Sequence, residues 1–197
     1  MKSLSKLMVL AMVAALVFAG CAKKPVQERN DAEAAIKAVV NDGAEIYAKE
    51  ELVKLQDELA AAEEEINIQS KKLVKKYGKP REMLAKISTD AAALKTTVAA
   101  RKEEAKNNAL SAQNEAKTAL DEAKAMVEKA PRGKGTRADI EAFRADVTAL
   151  EGSLVEVQQA IDSEDYLGAV DRARIIQEKT SGISSQIKQA LEKTKRK

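Results

Sequence analysis

Cys21 is the only cysteine in the 197-residue chain, and the chain contains no histidine. A single thiol cannot form an intrachain disulfide, and it has no second cysteine or histidine with which to hold a metal ion. The lack of histidine also removes the commonest general acid–base and the Ser–His–Asp arrangement. The three glutamates of AEEEI at 62–66 point to three sides of a helix, and RGKGT at 132–136 lacks the spacing of a phosphate-binding loop. We therefore predict no catalytic residue, no metal site and no cofactor, and a protein that is not an enzyme.

The segment before Cys21 has the pattern of a secretory signal. Two lysines near the start precede the apolar run LMVLAMVAALVF at 7–18, which is followed by the small residues Ala19 and Gly20. A run of about 12 apolar residues is too short to cross a bilayer as a mature helix, which needs about 20. The pattern predicts a signal peptide over residues 1–20.

The sequence FAGC at 18–21 resembles the lipobox of bacterial lipoproteins, with Phe18 at the position where leucine is usual. The resemblance implies cleavage before Cys21 and attachment of fatty-acyl chains such as palmitate to this cysteine. Ala22 follows it instead of aspartate, which implies, by similarity to enteric lipoproteins, sorting to the outer membrane. The expected location is the periplasmic face of the outer membrane. The alternative is an ordinary secreted protein in which Cys21 is a free thiol.

Charge and aromatic content exclude one class of partner. Residues 1–20 contain two lysines and no acidic residue, so the chain without them has 32 of its 34 basic side chains against 31 acidic ones. The charges alternate in sign along the chain, aromatic residues are 3% of it, and tryptophan is absent. A nucleic-acid-binding protein needs a basic patch and, for single strands, aromatic rings for base stacking. Nucleic acid is therefore not an expected partner.

The remaining sequence is typical of long helices that pack side by side. Charged residues are 33% of the chain, and alanine is abundant. Apolar residues recur in steps of three and four, which is the spacing of coiled-coil-like packing. The predicted core positions are Leu52, Leu55, Leu59, Ala62, Ile66 and Leu73; Leu84, Ile87, Ala91, Leu94 and Val98; Ile140, Phe143, Val147, Leu150, Leu154, Val157 and Ile161; and Ala173, Ile176, Thr180, Ile183, Ile187 and Ala190. The predicted fold is all-α, an elongated set of antiparallel helical hairpins or a bundle.

Turn signals divide this helical region. Gly43 can end a helix in the left-handed conformation, Pro80 can begin one, and Thr136 can cap the helix after the loop APRGKGT. The predicted helices cover 31–42, 49–76, 81–129, 137–161 and 165–194. The predicted organisation is a tether over 21–30 and a helical domain over 31–197, with a hairpin at 49–100, a long connecting helix to 129 and a hairpin at 137–194.

The long third helix changes character near Ala105. Before this point its predicted core positions are leucine, isoleucine and valine, and after it they are Ala109, Ala112, Ala116, Ala119 and Ala123, with a slip in the three-four phase. Either the helix breaks here or it continues as an exposed rod between two bundles. Continuity is favoured because neither glycine nor proline interrupts it.

Two stretches resemble a family of bacterial periplasmic helical domains that have no known activity and sometimes precede peptidoglycan-binding domains of the outer-membrane-protein-A type. They are GAEIYAKEELVKLQDELAAAEEEI at 43–66 and EDYLGAVDRARIIQEKT at 164–180. Lys49 stands where that family has proline, and Leu55 takes an alanine position. The matching residues are Tyr47, Ala48, Glu51, Leu52 and Leu59 in the first stretch and Tyr166, Ala169 and Ala173 in the second. The resemblance implies a periplasmic helical protein and supplies no catalytic role.

Three functions are consistent with this sequence. The first is a structural or scaffolding lipoprotein, bound to the membrane through lipidated Cys21 and to a protein partner in the cell envelope. The second is a peptidoglycan tether: with its lipidated cysteine, helical body and basic end LEKTKRK, the chain resembles Braun's lipoprotein, which implies that Lys197 is the cross-linked residue, although the penultimate aromatic residue of that family is missing. The third is a carrier of a small ligand or lipid in a groove between helices.

Overall fold

A computed structural model describes residues 23–130 and 137–195 of the chain. About 90% of these residues are helical, which confirms the predicted all-α fold. Cys21, Thr136 and Lys197 lie outside the described residues. The helices are α1 (Val26–Asn41), α2 (Ala44–Tyr47), α3 (Lys49–Ser70), α4 (Gly78–Lys129), α5 (Arg137–Asp162) and α6 (Tyr166–Lys195).

Helix α4 contains 52 residues without a break, as the lack of internal glycine and proline over 81–129 predicts. The described residues form two compact units, whose boundary lies inside this helix between Arg101 and Lys102. Each unit is therefore built from three main helices, and each is described here by itself.

The first unit consists of α1, α2, α3 and the part of α4 up to Arg101. Ion pairs between helices give their directions: Arg29 near the start of α1 contacts Glu63 near the end of α3, and Glu51 at the start of α3 lies 2.7 Å from Arg101. Sequential helices are thus antiparallel. The buried core residues are Ala32, Ile36, Val39, Ala44, Ala48, Leu52, Leu55, Ala62, Ile66, Tyr77, Leu84, Ile87, Ala91, Leu94 and Val98. All five core positions predicted between 84 and 98 are confirmed.

The second unit consists of α4 from Lys102, α5 and α6. Lys124 Nζ lies 2.6 Å from Glu151 Oε1, and Gln113 donates to Gln158 at 2.8 Å, so α4 and α5 are also antiparallel. Most predicted seam positions are buried, while Phe143 and Leu154 are half-buried and the side chain of Ala190 lies outside those described. Thr180 is 1% exposed and satisfies its hydroxyl by donating to the carbonyl oxygens at 176 and 177, each at 2.9 Å.

Helix α1 begins five residues earlier than the predicted start at 31, so much of the predicted tether is helical. Pro25 precedes the first helical residue and supplies a fixed φ but no side-chain hydrogen bond. Residues 26–30 carry no seam pattern, and contacts with other helices involve their charged groups instead: Glu28 with Arg81 and Arg29 with Glu63. A prediction based on apolar spacing misses a helix end of this kind.

Leu73 was predicted to be a core residue of a helix ending at 76, and this prediction is wrong. Helix α3 ends at Ser70, and Leu73 is 102% exposed relative to a reference residue. The reason is the position at which the neighbouring helix begins. Arg29, close to the start of α1, lies opposite Glu63, so α1 begins near the level of Ile66. A residue one heptad further along, about 10 Å, has no α1 side chains against which to pack.

In the second unit, the seam of α4 is less dominated by alanine than the sequence indicated. Ala109, Ala116 and Ala123 are buried as predicted, but Ala112 and Ala119 are half-buried. The other buried positions include Leu120 and Val127, which were not predicted. The three-four steps counted after the phase slip near Ala105 assigned Ala112 and Ala119 to the core. Both lie at least one residue away from the side of α4 that faces α5 and α6.

Candidate functional site

Both residues that the sequence singles out for chemistry, Cys21 and Lys197, lie outside the described residues, so their roles stay predictions. The structure does describe the chain from Lys23 onward, two residues after the cysteine. The Lys23 carbonyl oxygen accepts a hydrogen bond from Arg81 Nη2 at 3.1 Å. The segment that leaves Cys21 therefore begins beside the first turns of α4. Two residues span at most about 7 Å.

The contacts around Arg81 fix this end of the first unit. Arg81 Nε also donates to Glu28 Oε1 at 2.8 Å, which joins the starts of α1 and α4. Pro25 and Pro80 are each less than 2% exposed. Tyr77, which immediately precedes α4, is 3% exposed. The N-terminal segment is thus joined to α4 by the shared guanidinium group of Arg81, next to these buried rings.

The loop at 71–76, which we call the KKLVKK loop, lies next to this junction, because Tyr77 follows Lys76 directly. Gln69, which is 9% exposed, contacts both ends of the loop. Its backbone oxygen accepts from the N–H of Lys72 at 3.2 Å, and its Oε1 accepts from the N–H of Lys76 at 3.4 Å. Its Nε2 donates to Glu65 Oε1 at 2.9 Å within α3. The buried Tyr77 follows the loop, so buried residues flank it on both sides.

Glu65 supports the same junction. The hydrogen bond from Gln69 and then that from Lys79, at 3.1 Å, hold the pKa of Glu65 below its usual range. Since both bonds stabilise the ionised carboxylate, the link between the end of α3 and the start of α4 is strongest when Glu65 is charged.

All six residues of the KKLVKK loop are exposed. Leu73 is 102% exposed and Val74 61% exposed, with two lysines on each side of them in the sequence. Within the described part of the chain, none of the four lysines lies within ion-pair distance of a carboxylate. Reasoning from heptads missed this feature because it assigned Leu73 to the core. The signal that could have found it is the symmetric arrangement of four lysines around two apolar residues.

The residues that carry the family resemblance are packing residues or helix-end residues. Ala48, Leu52, Tyr166, Ala169 and Ala173 are all buried. The backbone oxygen of Tyr47 accepts a hydrogen bond from Arg101 at 2.9 Å, and Glu51 pairs with the same arginine.

Open grooves lie between the helices. One of about 430 Å³ between α5 and α6 is lined by residues that include Phe143, Leu150, Lys179 and Ile183, and one of about 360 Å³ between α1 and α3 includes Ile36 and Leu59. Both are exposed troughs with mixed apolar and charged walls. They offer the carrier hypothesis no enclosed apolar cavity.

Among residues 23–130 and 137–195, no group of three or more metal-ligating side chains is placed to hold a metal ion. None of the helices described here is long and apolar enough to cross a membrane. No known protein family, no curated protein and no solved structure matches the chain.

Proposed function

We propose that this protein is a lipid-anchored structural or scaffolding protein of the bacterial cell envelope, attached to the periplasmic face of the outer membrane through Cys21. The observation that carries the proposal is the position of the single cysteine, directly after a basic start, an apolar run of about 12 residues and two small residues. One acyl chain alone binds a membrane only marginally, whereas several chains on one residue give a durable anchor.

This proposal is supported by the small number of residues between the anchor and the helical body. Lys23 is hydrogen-bonded to Arg81, and α1 begins at Val26. With Cys21 lipidated, the first unit would be held at the membrane surface with almost no flexible linker. A close attachment suits a protein that positions a partner relative to the membrane.

The proposed scaffolding role is supported by the long helices, whose outward faces are mostly charged. Val155 in α5 and Leu167 and Ile175 in α6 are each at least half exposed, but single apolar residues of this kind are normal on a protein surface. The proposed partner is another protein of the envelope, bound through helix faces.

The deciding experiment replaces Cys21. Wild-type protein expressed in a Gram-negative host should incorporate labelled palmitate, partition into the detergent phase and co-fractionate with the outer membrane. Cys21→Ser should lose the label and leave that fraction, because serine provides no thiol for acylation. Ala22→Ser, which keeps the cysteine and changes the adjacent residue, serves as the matched control and should be labelled. Palmitate labelling of Cys21→Ser, or absence of the label from the wild type, would refute the anchor.

A further inference from the structure

The KKLVKK loop presents a combination of groups that a folded chain otherwise avoids. Leu73 and Val74 are largely in solvent. Among the described residues, none of the four flanking lysines lies within ion-pair distance of a carboxylate, and Lys72 acts on Glu65 only through its charge at longer range. The loop is also flanked by Gln69, which contacts both of its ends, and by the buried Tyr77. The free energy of such exposed apolar side chains falls only when another apolar phase covers them.

The position of the loop indicates which phase that is. The loop ends at the first turn of α4, and the same turn binds Lys23 through Arg81. Lys23 is two residues from Cys21. The exposed Lys23 and Lys24 add positive charge at this end. If Cys21 is lipidated, the surface nearest to the loop is a bilayer.

We propose that the KKLVKK loop is a second membrane contact, which inserts Leu73 and Val74 between anionic phospholipid headgroups while its lysines bind their phosphates. The proposal rests on the membrane anchor of the proposed function. Lysine stems can lie along the apolar boundary with their ammonium groups at the phosphate level. Each lysine near an anionic surface strengthens binding about fivefold. An acyl anchor and a basic apolar loop together are the two-signal arrangement that fixes a protein to a membrane surface.

The chemistry favours a lipid surface over a protein groove or a nucleic acid. The loop is a convex tip with two apolar residues, too few to form the centre of a protein interface, and it carries no aromatic ring to stack on a base. The four lysines have flexible side chains and surround a small apolar tip. This arrangement suits a lipid surface, in which mobile phosphate groups lie above the hydrocarbon core.

The test removes the natural anchor and substitutes a controlled one. The chain from residue 21, with Cys21→Ser and an N-terminal hexahistidine, is bound to vesicles through a nickel-chelating lipid. It retains every described helix, and the natural chain has no other histidine. With Cys21 replaced, Leu73→Cys supplies a single thiol for a polarity-sensitive fluorophore. The vesicles contain phosphatidylcholine alone or phosphatidylcholine with phosphatidylglycerol.

A blue shift of the probe at position 73 is expected on vesicles with phosphatidylglycerol and not on phosphatidylcholine alone. Raising the salt concentration should reverse the shift while the nickel tether holds. Replacing the four loop lysines with glutamine should lower the inserted fraction, with the insertion constant falling about fivefold for each lysine removed. The matched control is Val53→Cys, a position 45% exposed on α3 and about 26 Å along the helix from Ser70. Its probe should not respond.

Absence of a blue shift at position 73 on anionic vesicles would overturn the proposal, as would an equal shift on phosphatidylcholine alone or at position 53. Circular dichroism of each variant without vesicles verifies that the helices are intact. Because the tether here is a metal chelate, the result does not depend on lipidation of Cys21. Failure of the loop and failure of the anchor are therefore separate outcomes.

Discussion

At the scale of single residues, two glycines have opposite structural roles. Gly43 has a φ of 102°, and it links α1 to α2 by donating to the oxygen at 40 and accepting from the N–H groups at 46 and 47. A side chain there would be strained, and its Cβ would lie 3.4 Å from the ring of Tyr47. Gly152, by contrast, lies inside α5 and is exposed, and a Cβ there would meet nothing within 4 Å.

We therefore expect opposite effects from the same substitution. Gly43→Ala should destabilise the protein by about 1–2 kcal/mol, since the left-handed conformation costs about that much for a residue with a Cβ. Gly152→Ala should stabilise it by about 0.5–1 kcal/mol through helix propensity alone. Urea unfolding followed by circular dichroism measures both. Equal effects of the two substitutions would contradict the assignment of Gly43 as a conformational requirement.

Some of these residue conformations are predictable from the local sequence, and others are not. Gly43 adopts the left-handed conformation predicted for it. At the start of α6, Asp165 accepts a hydrogen bond from the N–H of Gly168 at 3.1 Å. Glu164 has a φ of 63°, which its residue type does not predict. The chain must turn there within a few residues, so the tertiary connection imposes a conformation that glutamate rarely adopts.

At the scale of helices, the three-four spacing predicts a buried face only where a neighbouring helix is present. The positions from Leu84 to Val98 are confirmed because α1 and α3 accompany this part of α4. Leu73 continues the pattern of α3 but lies beyond the level at which α1 begins. The sequence around Leu73 contains no information on where a distant helix starts. This is why the presence of the helices was predictable, while the end of α3 and the start of α1 were not.

The comparison of Leu84 with Leu73 tests this interpretation. Leu84 is 0% exposed, so Leu84→Ala should cost about 2–5 kcal/mol of unfolding free energy. Leu73→Ala, although predicted from the heptads to be equivalent, should change stability by less than about 0.5 kcal/mol because its side chain is already in water. Chemical denaturation of the two variants, at equal protein concentration, provides the measurement. A large loss for Leu73→Ala would show that the residue packs in solution.

At the scale of the whole molecule, the sequence predicted the fold class and the continuity of α4. It placed one hairpin at 49–100 and another at 137–194, and the boundary between the two compact units lies between Arg101 and Lys102. The charged residues that alternate along each helix looked equivalent in sequence. Only the tertiary arrangement selects which of them pair between helices, as for Glu51 with Arg101 and Glu58 with Lys86. The proposed functional ends, Cys21 and Lys197, were predicted from the sequence alone and lie outside the described residues.

Some of these pairs make the first unit sensitive to acid. The hydrogen bond from Arg101 holds the pKa of Glu51 below its usual range, and those from Gln69 and Lys79 do the same for Glu65. A carboxylate whose pKa is lower in the folded state stabilises that state fully above its unfolded pKa. The contribution is lost as the pH falls below the ordinary value of 4.5 and through the lowered folded pKa.

The double variant Glu51→Gln with Glu65→Gln isolates this contribution. Wild type should be more stable than the variant above pH 4.5, and the difference should shrink as the pH falls below that value, since protonation removes the same charges that the substitutions remove. Hydrogen-exchange protection factors of peptides within 26–101 report the first unit directly. Glu64→Gln changes an exposed neighbour that makes no ion pair within the described residues, and it serves as the control. A stability difference that is independent of pH would show that the lowered pKa values do not stabilise the fold, because only a pKa that differs between the folded and unfolded states makes stability depend on pH.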